Sequence, residues 1–269
     1  VQKAHGHTSF AEQQTVPVLT DLAAQRKALI DEMSMASSIV AFTGAGISTE
    51  AGIPDFRSPG SAWTVNKPIP YDAFVASPEV RAEAWRRKFA MDDVSSDAKP
   101  ATAHIEIAEL VRRGRCTRVV TQNIDDLHAR AGVPHEHLVE LHGNGTYAAC
   151  ISCGIRHELA DVRPLFEASG QAPHCRECGS PVKSATVSFG QAMPKHAMQR
   201  AAKAATSCDL FLVLGSSLVV FPAASFVDLA KQAGARLVIV NREPTGFDDL
   251  ADWVLRGEIG PVMTGLGAY

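Results

Sequence analysis

The sequence predicts an α/β fold built on a parallel sheet, and three observations carry that prediction. Apolar runs recur at Ile39 to Phe42, Arg118 to Thr121, Asp209 to Leu214, Arg236 to Val240 and Trp253 to Leu255. Helical stretches lie between them, among them Ala103 to Arg113, Lys195 to Thr206 and Ala223 to Ala233. Two of the runs end in glycine-bearing turns, at Gly44 and at Gly215. Strands buried on both faces read as near-continuous apolar runs, and helices alternating with them cover both faces of a parallel sheet.

Composition sets outer limits. The 269 residues are 46% hydrophobic and 20% charged, ordinary for a globular chain with a sizeable core. A net charge of −3 gives no reason to expect a nucleic-acid or membrane surface. Arg112, Arg113 and Arg115 fall at a helix end, where a solvated face and the helix dipole account for them. No apolar run reaches the ~18 residues of a membrane span. Val1 to Thr15 is polar, carries His5 and His7, and lacks the apolar stretch of a secretory signal, so a flexible arm over residues 1–15 is expected.

Along the chain, Leu19, Leu22, Ala23, Arg26, Leu29, Ile30 and Met33 recur at helical spacing, predicting an amphipathic helix ahead of the first strand. After that strand, Gly44-Ala45-Gly46 permits a tight turn and a close backbone approach to a ligand, and exposed amides there suit a pyrophosphate. The segment runs on to Asp55-Phe56-Arg57, opposite charges beside a loop expected to cover that ligand. Residues about 58–100 form an insertion with Pro59, Pro68, Pro70 and Pro78 and a helical run from Glu79 to Met91. A second insertion, about 147–184, carries four of the six cysteines. Both follow strands, where ligand-binding loops gather in open α/β sheets.

The cysteine pattern is specific. Cys150-Ile151-Ser152-Cys153-Gly154 and Cys175-Arg176-Glu177-Cys178-Gly179 are two knuckles with 21 residues between them. Four thiolates complete a tetrahedral zinc site with no open position, so the metal is read as structural; disulfides or redox thiols are the alternative. Cys116 and Cys208 lie beside strands and read as buried free thiols, which suits a reducing, cytoplasmic location.

The polar motifs each have two readings. Asn123 and Asp125, in Thr121-Gln122-Asn123-Ile124-Asp125, either cap the helix near Asp126 or face a ligand. His142, before Gly143, is either a satisfied core histidine or a general base suited to neutral pH. Gly215-Ser216-Ser217 is a plain turn or a phosphate or ribose site, and Asn241, near Glu243, is a turn residue or a ribose ligand. About 20 positions past the first glycines, an ordinary dinucleotide fold places an acid; here Ala62-Trp63-Thr64-Val65-Asn66 has none, which argues against a dehydrogenase. His128 and His104 read as structural.

Five motifs in order resemble the sirtuins, the NAD-dependent protein deacylases: Gly44 to Ser48 with Gly52-Ile53-Pro54-Asp55-Phe56-Arg57, then Gln122-Asn123-Ile124-Asp125, Leu141-His142-Gly143, the two cysteine knuckles, and Gly215-Ser216-Ser217-Leu218. The resemblance spans roughly residues 38 to 260. It implies one catalytic domain over 16–269: a Rossmann-type core of about 16–57, 101–146 and 185–269, the helical insertion, and a small discontinuous zinc-binding domain at 147–184. Acyl-lysine peptide and NAD meet between them, giving nicotinamide and O-acyl-ADP-ribose.

Carried over residue by residue, it implies His142, Asn123 and Asp125 as catalytic. The NAD contacts implied are Gly44, Ala45, Gly46, Thr49, Asp55, Phe56, Arg57, Gln122, Asn123, Ile124, Asp125, Gly215, Ser216, Ser217, Asn241, Arg242, Glu243 and Ile259. Cys150, Cys153, Cys175 and Cys178 would hold zinc, while Val187, Phe189, Gly190 and Leu218 would line the peptide and acyl-lysine path. Three departures stand out. Asp126 replaces the family's usual glycine, Gln191 replaces a glutamate, and Trp85-Arg86-Arg87-Lys88 stands where acidic-acyl sirtuins carry Tyr-x-x-Arg. A deacetylase is therefore expected. An ADP-ribosyltransferase using the same pocket is the nearest alternative, and a non-catalytic NAD-sensing or zinc interaction module the more distant one.

Overall fold

A computed structural model describes residues 16–55 and 67–269. Phe56, Arg57, the arm 1–15 and the start of the first insertion, among them Ala62 to Asn66, lie outside the described residues.

In chain order the large sheet takes β1 (Val18–Leu19), β2 (Ile39–Thr43), β3 (Cys116–Thr121), β4 (Leu138–Glu140), β8 (Leu210–Leu214), β9 (Arg236–Val240) and β10 (Trp253–Leu255). All pair parallel, in the order β1-β10-β9-β8-β2-β3-β4. From β2 the chain builds outward through β3 and β4, returns to place β8 on the other side of β2, and continues to β9 and β10. The switch in direction therefore falls between β2 and β8. Crevices at such a switch point, beyond the carboxyl ends of the strands, are where open α/β sheets bind ligands. Register sharpens this: Thr43 lies opposite both Thr121 and Leu214, so three strand ends are level and the turns after them converge.

Period-two alternation of side chains sorts the core into two layers. Ile39, Ala41, Leu210, Leu212, Val238 and Val240 face one side, packed under α1 (Leu22–Met35), α4 (Thr102–Arg112) and α9 (Ile259–Met263). Val40, Phe42, Phe211, Val213, Leu237 and Ile239 face the other, under α7 (Lys195–Ala205) and α8 (Ser225–Gln232). Every residue of β2 and β8 is buried, and each large apolar side chain there contributes about 1.5–3 kcal/mol.

The expected strands and helices appear within one to three residues of their predicted bounds, with two differences. Leu19 does not open the first helix; Val18 and Leu19 form an edge strand on Val254 and Leu255, and Asp21 caps α1 by accepting from Ala24 N at 2.9 Å. A two-residue strand carries no periodicity to read. The helical run of the first insertion is longer and broken: α2 (Tyr71–Ala76) precedes α3 (Pro78–Ser95), whose amide at Val80 is capped by Ser77.

The cysteine segment forms an antiparallel sheet in the order β6-β5-β7, from β5 (Gly143–Cys150), β6 (Arg156–Glu158) and β7 (Val182–Thr186). Between β6 and β7 runs α6 (Leu159–Ser169). A third core gathers Trp85 and Phe89 of α3 with Ala148, Val162, Phe166 and Val182. Trp85 is 1% exposed, stacks on Phe89 and donates its indole N–H to Val182 O at 3.1 Å.

Candidate active site and metal centre

A cavity of about 1420 Å³ opens over the switch point and runs between the large sheet and the three-stranded sheet. Its floor is two glycine turns packed on each other. A Cβ at Gly44 would stand 2.7 Å from Gly215 O, and one at Gly215 would stand 2.5 Å from Ile47 N. Side chains are excluded there by contact, and Gly215 also needs its φ of 66°. The glycine amides are not the free donors that the sequence suggested. Gly44 N donates to Leu214 O at 3.1 Å and Gly46 N to Gly215 O at 2.8 Å. The glycines bring the turns together, and in the following 3-10 turn, Ala45–Ala51, Ile47 N is likewise bonded, to Gly44 O at 3.1 Å.

Ser48 in that 3-10 turn joins the polar motif after β3. Its hydroxyl donates to Asp125 Oδ2 at 2.6 Å and accepts from Asn123 Nδ2 at 3.1 Å. Asn123 also donates to Gly44 O, and Asp125 Oδ1 accepts from Leu127 N. Asp125 thus both caps the short helix α5 (Leu127–Arg130) and lines the cavity, so its two readings coexist. Gln122 Nε2 donates to Ser216 Oγ at 2.7 Å, tying the motif to the second glycine turn.

His142 lies between β4 and β5, with its Nδ1 2.8 Å from Gln122 O. A carbonyl only accepts, so Nδ1 carries the proton and Nε2 keeps its lone pair. Burial lowers the His142 pKa below the usual 6.5, opposed by that hydrogen bond. Gly143 follows at φ 76°, where an added Cβ would meet Ala185 O at 2.0 Å. His142 O accepts from Val187 N at 2.7 Å, which fixes the segment after β7 to the histidine.

Of the residues singled out by sequence, the cavity gathers Gly44, Ala45, Gly46, Asp55, Gln122 to Asp125, His142, Val187, Phe189, Gly190, Gly215 to Ser217, Asn241, Arg242, Glu243 and Ile259. Thr49 and Leu218 are not on its wall. Thr49 donates to Gly46 O. Leu218, at φ 55°, is turned into the core at 3% exposure, while Val219 and Val220 face the groove. Arg242 reaches Asp55 at 3.4 Å and Glu258 at 3.6 Å across the rim. Gln191 accepts from Ser188 N at 3.1 Å, taking a loop-pinning role in place of a charge. Arg86 and Arg87 pair with Glu83, and Lys88 with Asp92.

Sequence reasoning missed three residues here. Ser48 sits inside a quoted motif, but only the fold brings it to Asp125. His104, 3.5 Å from Ser48 Oγ through Nε2, also accepts from Ala101 N through Nδ1, so it supports its helix and touches the site network. Lys183 lines the cavity at 7% exposure, donating to Thr186 O at 2.5 Å and Ser184 O at 3.3 Å, and burial pushes its pKa down to about 8. Strand alternation with a lysine reads as an outward position, which hid it.

Away from the cavity, the Sγ atoms of Cys150, Cys153, Cys175 and Cys178 lie within 4.8 Å of one another. Adjacent pairs stand 3.4 and 3.6 Å apart. A tetrahedron with ~2.3 Å Zn–S bonds has S···S edges of about 3.8 Å, so the four thiols fit Zn²⁺. Ser152 N and Cys153 N point at Cys150 Sγ, as a knuckle requires.

Known proteins are similar to this chain over most of its length. The Sir2 family model matches residues 44–222. An NAD-dependent protein deacetylase of Rhodopseudomonas palustris is 58% identical over 87% of this chain and 92% of its own length. NAD-dependent protein deacetylase 1 of Bradyrhizobium diazoefficiens is 54% identical over 91% and 96% respectively. Among solved structures, a Sir2 complex with p53 peptide and NAD+ superposes with a TM-score of 0.77 at 37% identity, covering 88% of this chain and 95% of that one. Sir2Tm bound to a propionylated peptide gives 0.76 at 36%, covering 88% and 94%. With the family model matched over residues 44–222 and relatives 54–58% identical across more than nine-tenths of their own length, the chain belongs to the Sir2 family.

Proposed function

We propose that the protein removes acyl groups, acetyl foremost, from protein lysines in a reaction that consumes NAD. One observation carries this reading: the free Nε2 of His142 shares a cavity with the Ser48–Asn123–Asp125 network and the glycine floor.

Glycine turns, Gln122, Ser216, Ser217 and Asn241 would hold NAD, with Asn123 and Asp125 at its nicotinamide end. When bound, NAD supplies a glycosidic bond whose cleavage opens the ribose carbon to the acyl oxygen, and the acyl group leaves as O-acyl-ADP-ribose. An amide oxygen is a weak nucleophile, so the chain's task is to orient it and keep water away. Val187 to Gly190 and Val219 to Val220 would flank the peptide, and Phe189, 59% exposed, would gain cover from it. His142 takes a proton through Nε2 while Gln122 O steadies the imidazolium that forms.

Acetyl preference is supported by the helix α3 cations: Arg86, Arg87 and Lys88 are each paired with a carboxylate, which leaves them poorly placed to greet an acidic acyl group. The zinc knot supplies folding energy only, since none of its cysteines borders the cavity. The proposed division into a Rossmann-type core, a helical insertion and a zinc-binding insertion is supported by two separate sheets and by a third core apart from the two that flank the large sheet. Among the described residues no helix is long and apolar enough to cross a membrane, and a cytoplasmic location fits four cysteines kept for metal.

A panel of acylated peptides incubated with NAD and read by mass tests the proposal. Deacylated lysine with one nicotinamide released per turnover is expected. ADP-ribose transferred to protein without deacylation would overturn it in favour of the transferase.

A further inference from the structure

Three bonds bracket the segment 122–126 against the segment 140–146. Gln122 O meets His142 Nδ1 at 2.8 Å, Ile124 O accepts from Gly145 N at 2.8 Å, and Asp126 Oδ1 accepts from Asn144 Nδ2 at 3.0 Å. Every second residue of one segment is thus held by the other. The third rung uses a carboxylate where the resemblance implies glycine. Asp126 replaces a glycine expected from the resemblance, and it keeps the glycine-favoured backbone at φ 64°. Besides Leu218 it is the only described non-glycine residue at positive φ.

Asn144 is 6% exposed and its amide is fully used. One N–H goes to Asp126 and the other to Glu140 Oε1 at 2.8 Å, while its Oδ1 accepts from Thr146 N at 2.8 Å and Thr146 Oγ1 at 2.7 Å. Two carboxylates on one side and two donors on the other permit a single orientation of the amide. Glu140 sits two residues before His142 and Asn144 two after, so the clasp encloses the base.

We propose that Asn144 is a positioning residue for the reaction: by clasping Asp126 and Glu140 it fixes the loop that carries Asn123 and Asp125 relative to His142. The proposal rests on the deacylase reading. A bond between a positively twisted Asp126 and Asn144 holds the loop's end where a glycine would leave it free to rotate. Such a constraint acts on the chemical step more than on binding, because it sets the alignment of groups on two segments.

The test compares Asn144→Ala, Asp126→Gly, their double variant and Asp126→Asn in the full chain, with NAD and acetyl-lysine peptide. Each of the first two should lose kcat on the order of tenfold, with both KM values within about threefold. The double should lose no more than the worse single, because both cut one connection. Asp126→Asn keeps an acceptor for Asn144 and should stay near the parent. Parental kcat in Asn144→Ala, or losses that multiply in the double, overturns the idea. If Asn144→Ala does not fold, Asp126→Gly decides alone, since its backbone already suits glycine. The His142 ring signals by NMR give a readout free of turnover: they should shift in Asn144→Ala, and unchanged signals overturn the clasp even if the parent proves not to be a deacylase.

Discussion

Ser48 and Asp125 stand 77 positions apart in the chain and share a 2.6 Å hydrogen bond, hydroxyl to carboxylate. The bond spans the crevice between the turns after β2 and β3, so a single oxygen sets the distance between the first glycine turn and the polar motif. The same oxygen accepts from Asn123. Ser48→Ala leaves Asp125 Oδ2 and an Asn123 N–H without this partner, a loss of about 1–3 kcal/mol in a buried setting. Turnover with saturating NAD should fall on the order of tenfold, and steady-state kinetics on the folded variant checks it.

For His142→Ala, deacylation should fall by roughly 10²–10⁴, while NAD affinity measured by calorimetry stays within about an order of magnitude. Equal loss of both would make the residue architectural. In the parent, the base works only when Nε2 is unprotonated. Because burial lowers its pKa, the acid limb of the rate profile should lie below pH 6.5, with activity rising as pH rises through it.

Gly143→Ala tests the close crossing behind the histidine. The new methyl would meet Ala185 O at 2.0 Å and sit on a φ of 76°. Destabilisation of at least about 2 kcal/mol is expected, read as a lower denaturant midpoint at unchanged slope.

Removing metal should act on stability before chemistry. One zinc per chain is expected by elemental analysis. Cys150→Ala or a strong chelator should lower the thermal midpoint and loosen the antiparallel sheet, because metal binding and folding are coupled. An unaltered midpoint would remove the zinc assignment.

Acid should weaken the fold through buried imidazoles. His104 is pushed down to about 4, chiefly by burial and with Asp125 opposing, and His128 is held well below its usual value, first by burial and then by His104. Their ordinary pKa is 6.5. Below that pH the unfolded chain takes up protons that the folded one refuses, so stability is present above pH 6.5 and declines toward pH 4. His104 alone accounts for on the order of 3 kcal/mol over that window. Denaturant titrations at a series of pH values measure it.

The sequence made the main strands legible because β2, β8 and the part of β9 after Arg236 are buried on both faces, and all but Thr43 at the end of β2 are apolar. The cavity floor was legible because glycine is the one residue that two touching turns accept. What stayed hidden depended on tertiary placement. Leu218 belongs to a motif, yet its positive φ turns it into the core. Ser48 sits in a motif, but only the fold brings it to Asp125, 77 positions on, while Lys183 and Asn144 are polar residues of unremarkable local pattern whose importance comes from side-chain orientation and partners that only the folded loop brings together. Trp85 is core, with its buried indole on Val182 O, while it also borders the cavity.

That indole has a further consequence for how the molecule is made. The third core takes Trp85 and Phe89 from one stretch and Val162, Phe166 and Val182 from another, with β3 and β4 of the large sheet in between. During synthesis the tryptophan leaves the ribosome almost a hundred residues before the carbonyl that will accept its hydrogen bond. The third core therefore closes only after Val182 has emerged, and until then Trp85 and Phe89 wait for their partners.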